Sequence, residues 1–284
     1  MAAIQVRGEV ISIKRLGAYH QLTVVAPGIP ERTRPGHFVA IGIGGEETSM
    51  MLRRAFSVYS VKERGMYGGS VDVIFAVHGK GTQWLADRRP HDIVDIVGPL
   101  GRPFPLPKEP VNAVLVGGGY GSAPLFALAE QLRQRDCRVD FVMGASTADR
   151  LFGALEAKRI SASVAFTTVD GSYGDKGVVS DVLPFLIERV KADVVYACGP
   201  MGMLQAVTEI SSELGITAQV AVEEAMACGI GVCMTCVLPV IGADGVTRMV
   251  RSCVDGPVFD GARVRWRDVG TVPADTYGAP VVTA

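Results

Sequence analysis

Four of the chain's six cysteines form one pattern, Cys228-x4-Cys233-x2-Cys236-x16-Cys253. No other feature constrains the fold as much, because thiols spaced this way converge through a tight loop. The pattern matches the spacing of plant-type [2Fe–2S] centres. The residues between the ligands suit that chemistry. Gly229, Gly231 and Thr235 are small, and glycine allows the positive φ of a tight loop whose N–H groups point at sulfides. Structural zinc is the first alternative, but such sites usually pair two C-x2–4-C knuckles. Here Cys253 is single, and the histidines (20, 37, 78, 91) all lie in the first third of the chain. Their position also excludes a Rieske centre, which needs two histidines. Two disulfides are the second alternative. They are disfavoured because MAAIQVRGEV lacks a basic stretch followed by an apolar core, so a cytoplasmic chain with reduced thiols is expected.

The 284 residues include 34 glycines, 48% apolar and 20% charged residues. Disorder is excluded, and the length suggests about two domains. Net charge is −1, which leaves no basic field for nucleic acid or an anionic membrane surface. A mean hydropathy of +0.28 requires a test for a membrane span. The longest uncharged run, 111–129, contains Gly117, Gly118, Gly119, Gly121 and Pro124. It reads as strand, turn and helix, so no membrane span is expected.

Residues 4–13, 19–25, 37–43, 56–61, 71–77 and 93–97 are β-like and separated by Gly/Pro turns, with a helix at 81–88. Six such strands suggest a small antiparallel barrel. From 111 to 222 the rhythm changes. Strands at 111–116, 138–143, 163–168, 193–197 and 217–222 alternate with helices ending near 135 and at 180–190 and 201–214. This alternation implies a doubly wound parallel sheet. The expected fold class is multidomain, β plus α/β, divided as 1–104, 105–222, a cysteine segment 223–266 and a loosely ordered tail 267–284 containing Pro273 and Pro280. Cys137 opens an apolar strand and reads as a core thiol.

Several short motifs suit phosphate. Gly117–Gly121 lies between a strand and a helix, where N–H groups hold a pyrophosphate. Tyr196-Ala197-Cys198-Gly199-Pro200-Met201 repeats that arrangement. Two such strand ends in one sheet make a crevice at its carboxyl edge. In the first domain, Arg53-Arg54-Ala55-Phe56-Ser57 combines guanidinium, aromatic and hydroxyl groups, suited to a phosphate-bearing flat ligand. Gly79-Lys80-Gly81-Thr82 offers free N–H groups at a helix start. Taken singly, each motif also reads as an ordinary turn or surface charge.

In this order the motifs R-x-x-S, GKGT, GGGYGSAP and CGPM resemble the ferredoxin–NADP+ reductase superfamily. The segments EEAMACGIGVCMTC (223–236) and CVDGPVF (253–259) resemble the electron-transfer subunits of dihydroorotate dehydrogenase B, with similarity over about residues 2–262. The resemblance implies FAD in the barrel, held by Arg54, Ala55, Phe56 and Ser57, by Ile74, Phe75 and Ala76, and by Gly81 and Thr82. Two residues depart from the family pattern. Ala55 stands where proline is usual, and Ala76 where an arginine is common, whose phosphate contact Arg53, Arg54 or Lys80 would replace. The resemblance assigns the cluster to Cys228, Cys233, Cys236 and Cys253. It assigns NAD to Gly118, Gly119, Gly121, Gly199 and Pro200. It also places Cys198 near the nicotinamide in a positioning role; the alternative is a small residue at a strand end.

The resemblance further implies a partner, the FMN-bearing catalytic subunit that oxidises dihydroorotate in pyrimidine biosynthesis. The expected assembly is a two-plus-two heterotetramer. A cluster moves one electron and NAD+ takes a hydride, and flavin converts between the two. Electrons would therefore run from FMN through [2Fe–2S] and FAD to NAD+. The cluster would lie near the partner, with an exposed apolar patch at Ile230, Val232 and Met234. NAD is favoured over NADP because only Arg150 stands near Asp149 and Asp170, and a 2′-phosphate wants clustered cations. Glu223 or Glu224 reads as a proton relay or an exposed helix or strand end. An electron-transfer subunit of a hydrogenase, sulfide dehydrogenase or ferredoxin:NADP oxidoreductase stays open, as does a zinc-binding regulatory module.

Overall fold

The computed structural model describes residues 3–45, 49–63 and 68–279. Six strands close into an antiparallel barrel: β1 (Ile4–Leu16), β2 (Tyr19–Val25), β3 (Phe38–Ile41), β4 (Arg54–Lys62), β5 (Ser70–Phe75) and β6 (Ile93–Leu100), in the order β1-β2-β5-β4-β3-β6. Val10, Leu22, Val24, Ile41, Phe56, Val73, Phe75 and Ile96 fill its interior. Closure leaves no free sheet edge. A short helix, α1 (Lys80–Ala86), joins β5 to β6.

The second unit is a seven-stranded sheet. Its elements are β7 (Asn112–Gly118), α2 (Ala123–Arg133), β8 (Arg138–Ala145), α3 (Ala154–Ile160), β9 (Ser163–Thr168), β10 (Asp175–Lys176), α4 (Val179–Val190), β11 (Val194–Cys198), α5 (Met201–Glu213) and β12 (Thr217–Ala221). These strands run parallel. The central strands are apolar on both faces because helices cover both. Leu125, Phe126 and Leu132 of α2 and Ile160 of α3 pack on one face. Leu183 and Ile187 of α4 and Leu204 and Val207 of α5 pack on the other. No helix among the described residues is long and apolar enough to cross a membrane. The run 111–129 divides into β7, a 3-10 turn at Gly119–Ser122 and α2.

The structure corrects the sequence reading in three places. After the cysteine loop come a hairpin, β13 (Val237–Ile241) with β14 (Thr247–Arg251), and then β15 (Val258–Asp260). β15 pairs antiparallel with β12, so the cysteine segment completes the nucleotide sheet and is not a separate appendage. The tail is docked as far as Tyr277. The Tyr277 N–H donates to the Thr247 carbonyl at 2.9 Å, Arg265 pairs with Asp275, and Thr276 is buried. Pro280 lies outside the described residues. The helix α3 and the strand β10 had no clear periodicity, being seven and two residues long.

Candidate functional site

The barrel and the sheet face each other across a cavity of about 260 Å3. β4 contributes Arg54, Ala55, Phe56 and Ser57, and the end of β5 contributes Ile74, Phe75 and Ala76. Thr82 of α1 completes the barrel wall. Its hydroxyl accepts the N–H groups of His78 at 2.9 Å and Gly79 at 3.2 Å, which closes the turn that starts the helix. Gly81 does not line the cavity. A Cβ there would stand 3.3 Å from Nε and Nη2 of Arg54, so its bareness makes room for the guanidinium. Arg53 turns away: its Nη1 pairs with Asp95 Oδ1 at 2.8 Å. Of the cations considered as substitutes for the missing arginine, Arg54 alone lines the cavity.

Across from the barrel, the cavity is walled by Tyr120, Gly121, Cys198, Gly199 and Val222–Glu224. Burial pushes the Cys198 thiol up to about 12, with Glu223 adding to the effect. Cys198 is thus a neutral thiol at physiological pH. Burial also raises the Glu224 carboxyl.

A second space of about 500 Å3 lies at the carboxyl ends of the parallel strands. The order β10-β9-β8-β7-β11-β12-β15 reverses between β7 and β11, where α/β sheets open a ligand crevice. Gly118, Gly119, Gly121 and Pro200 line it, with Arg150 at its rim. Here the glycines allow two turns to touch. A Cβ on Gly121 would lie 2.8 Å from Gly199 Cα, and one on Gly118 would lie 2.8 Å from Pro200 Cδ.

Tyr120, Gly121 and Glu223 line both spaces. The Tyr120 phenol donates to Glu223 Oε1 at 3.4 Å. Burial, reinforced by Glu223, pushes that phenol up to about 12 and keeps it a donor. Sequence reasoning missed Tyr120. Its position inside the glycine-rich turn was the available signal.

The four cysteines approach as two pairs. Cys228 stands beside Cys233, and Cys236 beside Cys253. The N–H groups of Ile230 and Val232 donate to Cys228 Sγ at 3.4 and 3.3 Å. Gly229 and Gly231, at φ 72° and 86°, permit this curl. Hydrogen bonds from Thr235 lower the Cys233 thiol to about 6, while burial raises Cys253. Among the described residues no three His, Cys, Asp or Glu side chains are grouped to hold a single metal ion. The two N–H donors at Cys228 sulfur suit a thiolate ligand of an iron–sulfur cluster. Cys236 and Cys253 pack with Phe38, Ala40 and Leu100, and against Ala55. Phe38 and Ala55 also line the barrel cavity. Ile230, Val232 and Met234 are 53%, 75% and 50% exposed.

Residues 223–265 match the iron–sulfur cluster binding domain of dihydroorotate dehydrogenase B. The dihydroorotate dehydrogenase B (NAD(+)) electron transfer subunit of Geobacillus kaustophilus (strain HTA426) is 36% identical over 247 residues, 86% of this chain and 92% of that protein. The chain belongs to this family. A probable member from Methanopyrus kandleri is 38% identical over 254 residues, 89% of each chain. Among solved structures, one of an NADH-dependent reduced ferredoxin–NADP oxidoreductase superposes with a TM-score of 0.79 at 30% identity, covering 93% of this chain and 91% of that one. A ferredoxin NADP+ reductase from Neisseria gonorrhoeae shares the fold, with a TM-score of 0.61 at 17% identity over 78% of this chain and 93% of that one.

Proposed function

We propose that this chain carries electrons from the FMN-bearing catalytic subunit of dihydroorotate dehydrogenase to NAD+, by way of a [2Fe–2S] cluster and FAD. One observation carries the reading. The barrel cavity shares Phe38 and Ala55 with the cysteine loop on one side, and Tyr120, Gly121 and Glu223 with the nucleotide crevice on the other. A flavin bound there would exchange a hydride with a nicotinamide and single electrons with a cluster.

The chain's own residues supply binding and orientation. In this reading residues 1–104 hold FAD, 105–222 hold NAD and 223–266 hold the cluster. Arg54 offers a guanidinium to phosphate, and the backbone of Ala55, Phe56 and Ser57, with Ile74, Phe75, Ala76 and Thr82, frames a flat ring. Gly81 gives Arg54 its place. Gly118, Gly119 and Gly121 present N–H groups before α2, and Gly199 and Pro200 open α5 beside them. Cys198, neutral and buried, keeps a small uncharged surface toward the nicotinamide. Cys228, Cys233, Cys236 and Cys253 ligate the cluster, and the N–H groups of Ile230 and Val232 stabilise charge on Cys228 sulfur. The exposed Ile230, Val232 and Met234 dock on the partner in a two-plus-two heterotetramer. The chain belongs in this reading to the cytoplasm, where thiols stay reduced and able to ligate a cluster.

The test is chemical. The purified chain should carry about one FAD, two irons and two sulfides, as a red-brown protein, following the cluster type. Co-expressed with the catalytic subunit, it should pass electrons from dihydroorotate to NAD+ better than to NADP+. A colourless protein holding one zinc would overturn the reading. A second reading, a subunit of a ferredoxin:NADP oxidoreductase, is favoured by the 0.79 superposition. It predicts activity with reduced ferredoxin and none with dihydroorotate.

A further inference from the structure

We propose that the β1–β2 hairpin of the barrel builds one wall of the nucleotide crevice, and that its Tyr19 is the positioning residue that holds Arg150 where a dinucleotide phosphate meets it. The inference rests on the reading of the crevice as the NAD site.

Beyond β8 the chain leaves the sheet and crosses to α3 by way of a 3-10 turn, Ala148–Arg150. Arg150 ends that turn, exposed at the crevice rim. Among the described residues lining the crevice, Arg150 is the one cation. Hydrogen bonds tie both ends of the turn. At its start the Ala148 N–H donates to the Ser172 hydroxyl at 2.8 Å. At its end the Arg150 carbonyl accepts the Tyr19 phenol at 2.8 Å. The second tie comes from the barrel, and the hairpin is shaped for it. Its connection is two residues long, and Gly17, at φ +60°, lies so close that a Cβ there would stand 3.1 Å from the Asp149 carbonyl. Tyr19 is 5% exposed, and Phe152 meets its ring edge-on at 6.2 Å. A Cβ on Gly119 would stand 3.3 Å from the phenol oxygen. The phenol thus touches both the glycine-rich turn that precedes α2 and the turn that carries Arg150, and it fixes their separation. Burial raises the phenol, so it stays a donor. The Asp149 carboxylate, which would repel a phosphate, accepts the Thr147 hydroxyl. A turn fixed before the ligand arrives spares the cost of ordering it on binding.

The experiment titrates ADP-ribose, which carries the two phosphates without the nicotinamide, into the full-length FAD-loaded protein and follows the heat of binding. Tyr19→Phe removes the hydroxyl and keeps the ring. It should weaken ADP-ribose about three- to tenfold, the range for one lost neutral hydrogen bond. Arg150→Ala should weaken it about tenfold. Adding Tyr19→Phe to Arg150→Ala should cost no more than about a further twofold, because the phenol acts through Arg150. In NADH-to-dye turnover, Tyr19→Phe should raise KM by the factor seen with ADP-ribose at unchanged kcat, as when binding shared by ground and transition states is lost. An unchanged ADP-ribose constant in Tyr19→Phe would overturn the proposal. So would fully additive losses in the double variant, which would put the action of the phenol elsewhere, or a fall in kcat, which would put it at the nicotinamide end. If Tyr19→Phe fails to fold, Gly17→Ala decides. Its methyl forces the hairpin off the Asp149 carbonyl and should weaken ADP-ribose about twofold or more; an unchanged constant overturns the proposal. A wild-type protein that binds neither ADP-ribose nor NAD+ overturns the reading of the crevice and the proposal together, whereas normal wild-type binding with indifferent variants overturns the proposal alone.

Discussion

Tyr59 on β4 donates a 2.7 Å hydrogen bond to the Glu156 carboxylate on α3, joining the barrel to the nucleotide sheet. Burial, helped by Glu156, raises the phenol well above its ordinary value, so the donor persists at any pH the protein meets. Phe126 and Phe152 meet the same ring edge-on at 6.1 and 5.5 Å. Tyr59→Phe keeps those contacts and strands a half-buried carboxylate. It should cost about 1–2 kcal/mol, given the worth of a hydrogen bond to a charged group and the partial exposure here. A lower urea midpoint at constant m-value would show it; an unchanged midpoint would make the contact incidental.

Gly121→Ala places a methyl 2.8 Å from Gly199 Cα and 3.1 Å from the Cys198 carbonyl. Both obstacles are backbone, so the β7–α2 and β11–α5 turns must separate. The expected result is a KM for NAD+ raised about tenfold or more, as small misplacements at a reacting site commonly cost that much or more, with FAD content preserved. Steady-state kinetics beside flavin quantitation distinguishes this from global unfolding. A normal KM would show that the turns move apart freely.

Cys228→Ser removes the thiolate that accepts two backbone N–H groups. Electron transfer between the partner subunit and NAD+ should fall to background, and iron content should drop. Direct reduction of a dye by NADH, which uses only flavin and nucleotide, should survive. Loss of both activities together would argue against separate routes.

His37 gives the chain a titration signature. Burial, with help from the Arg34 cation, lowers its imidazole to about 4. Its Nδ1 already accepts the Arg34 N–H at 3.0 Å, so a proton there has no place. The unfolded chain takes up that proton near pH 6.5 and the folded chain only near 4. The contribution is therefore complete above about pH 6.5, declines as pH falls to 4, and reaches about 3 kcal/mol in total. Urea midpoints at pH 7 and 4.5 should differ less in His37→Asn than in the wild type. Equal differences would remove His37 from the account.

Much of this architecture is legible in local patterns. The apolar strand Asn112–Gly118, the glycine-rich turn and the helix Ala123–Arg133 read correctly because their signals are contiguous. Ser163–Thr168 was expected at those bounds, flanked by polar turns. By contrast, Val258–Asp260 is three residues long and carries no period of its own. Its strand state comes from pairing with β12, some forty residues earlier in the chain. Proline and small residues give the tail no periodicity and suggest a loose segment, yet Tyr277 and Asp275 find partners on β14 and at Arg265.

The cofactor-binding candidates divide the same way. Sequence pattern alone determined the four-cysteine spacing, the order of barrel and sheet, and the glycine turns, since each is written in the order of residues along the chain. Only the tertiary structure decided that Arg53 is taken by Asp95 while Arg54 faces the cavity. Only it decided that Phe38 and Ala55 join the cysteine loop to the cavity wall, and that Tyr120 with Glu223 stands between the two binding spaces. Local hydrogen bonding and hydrophobic period are set by adjacent residues. Which surfaces meet is set by the summed small gains of distant packing, and no short window of sequence contains that sum.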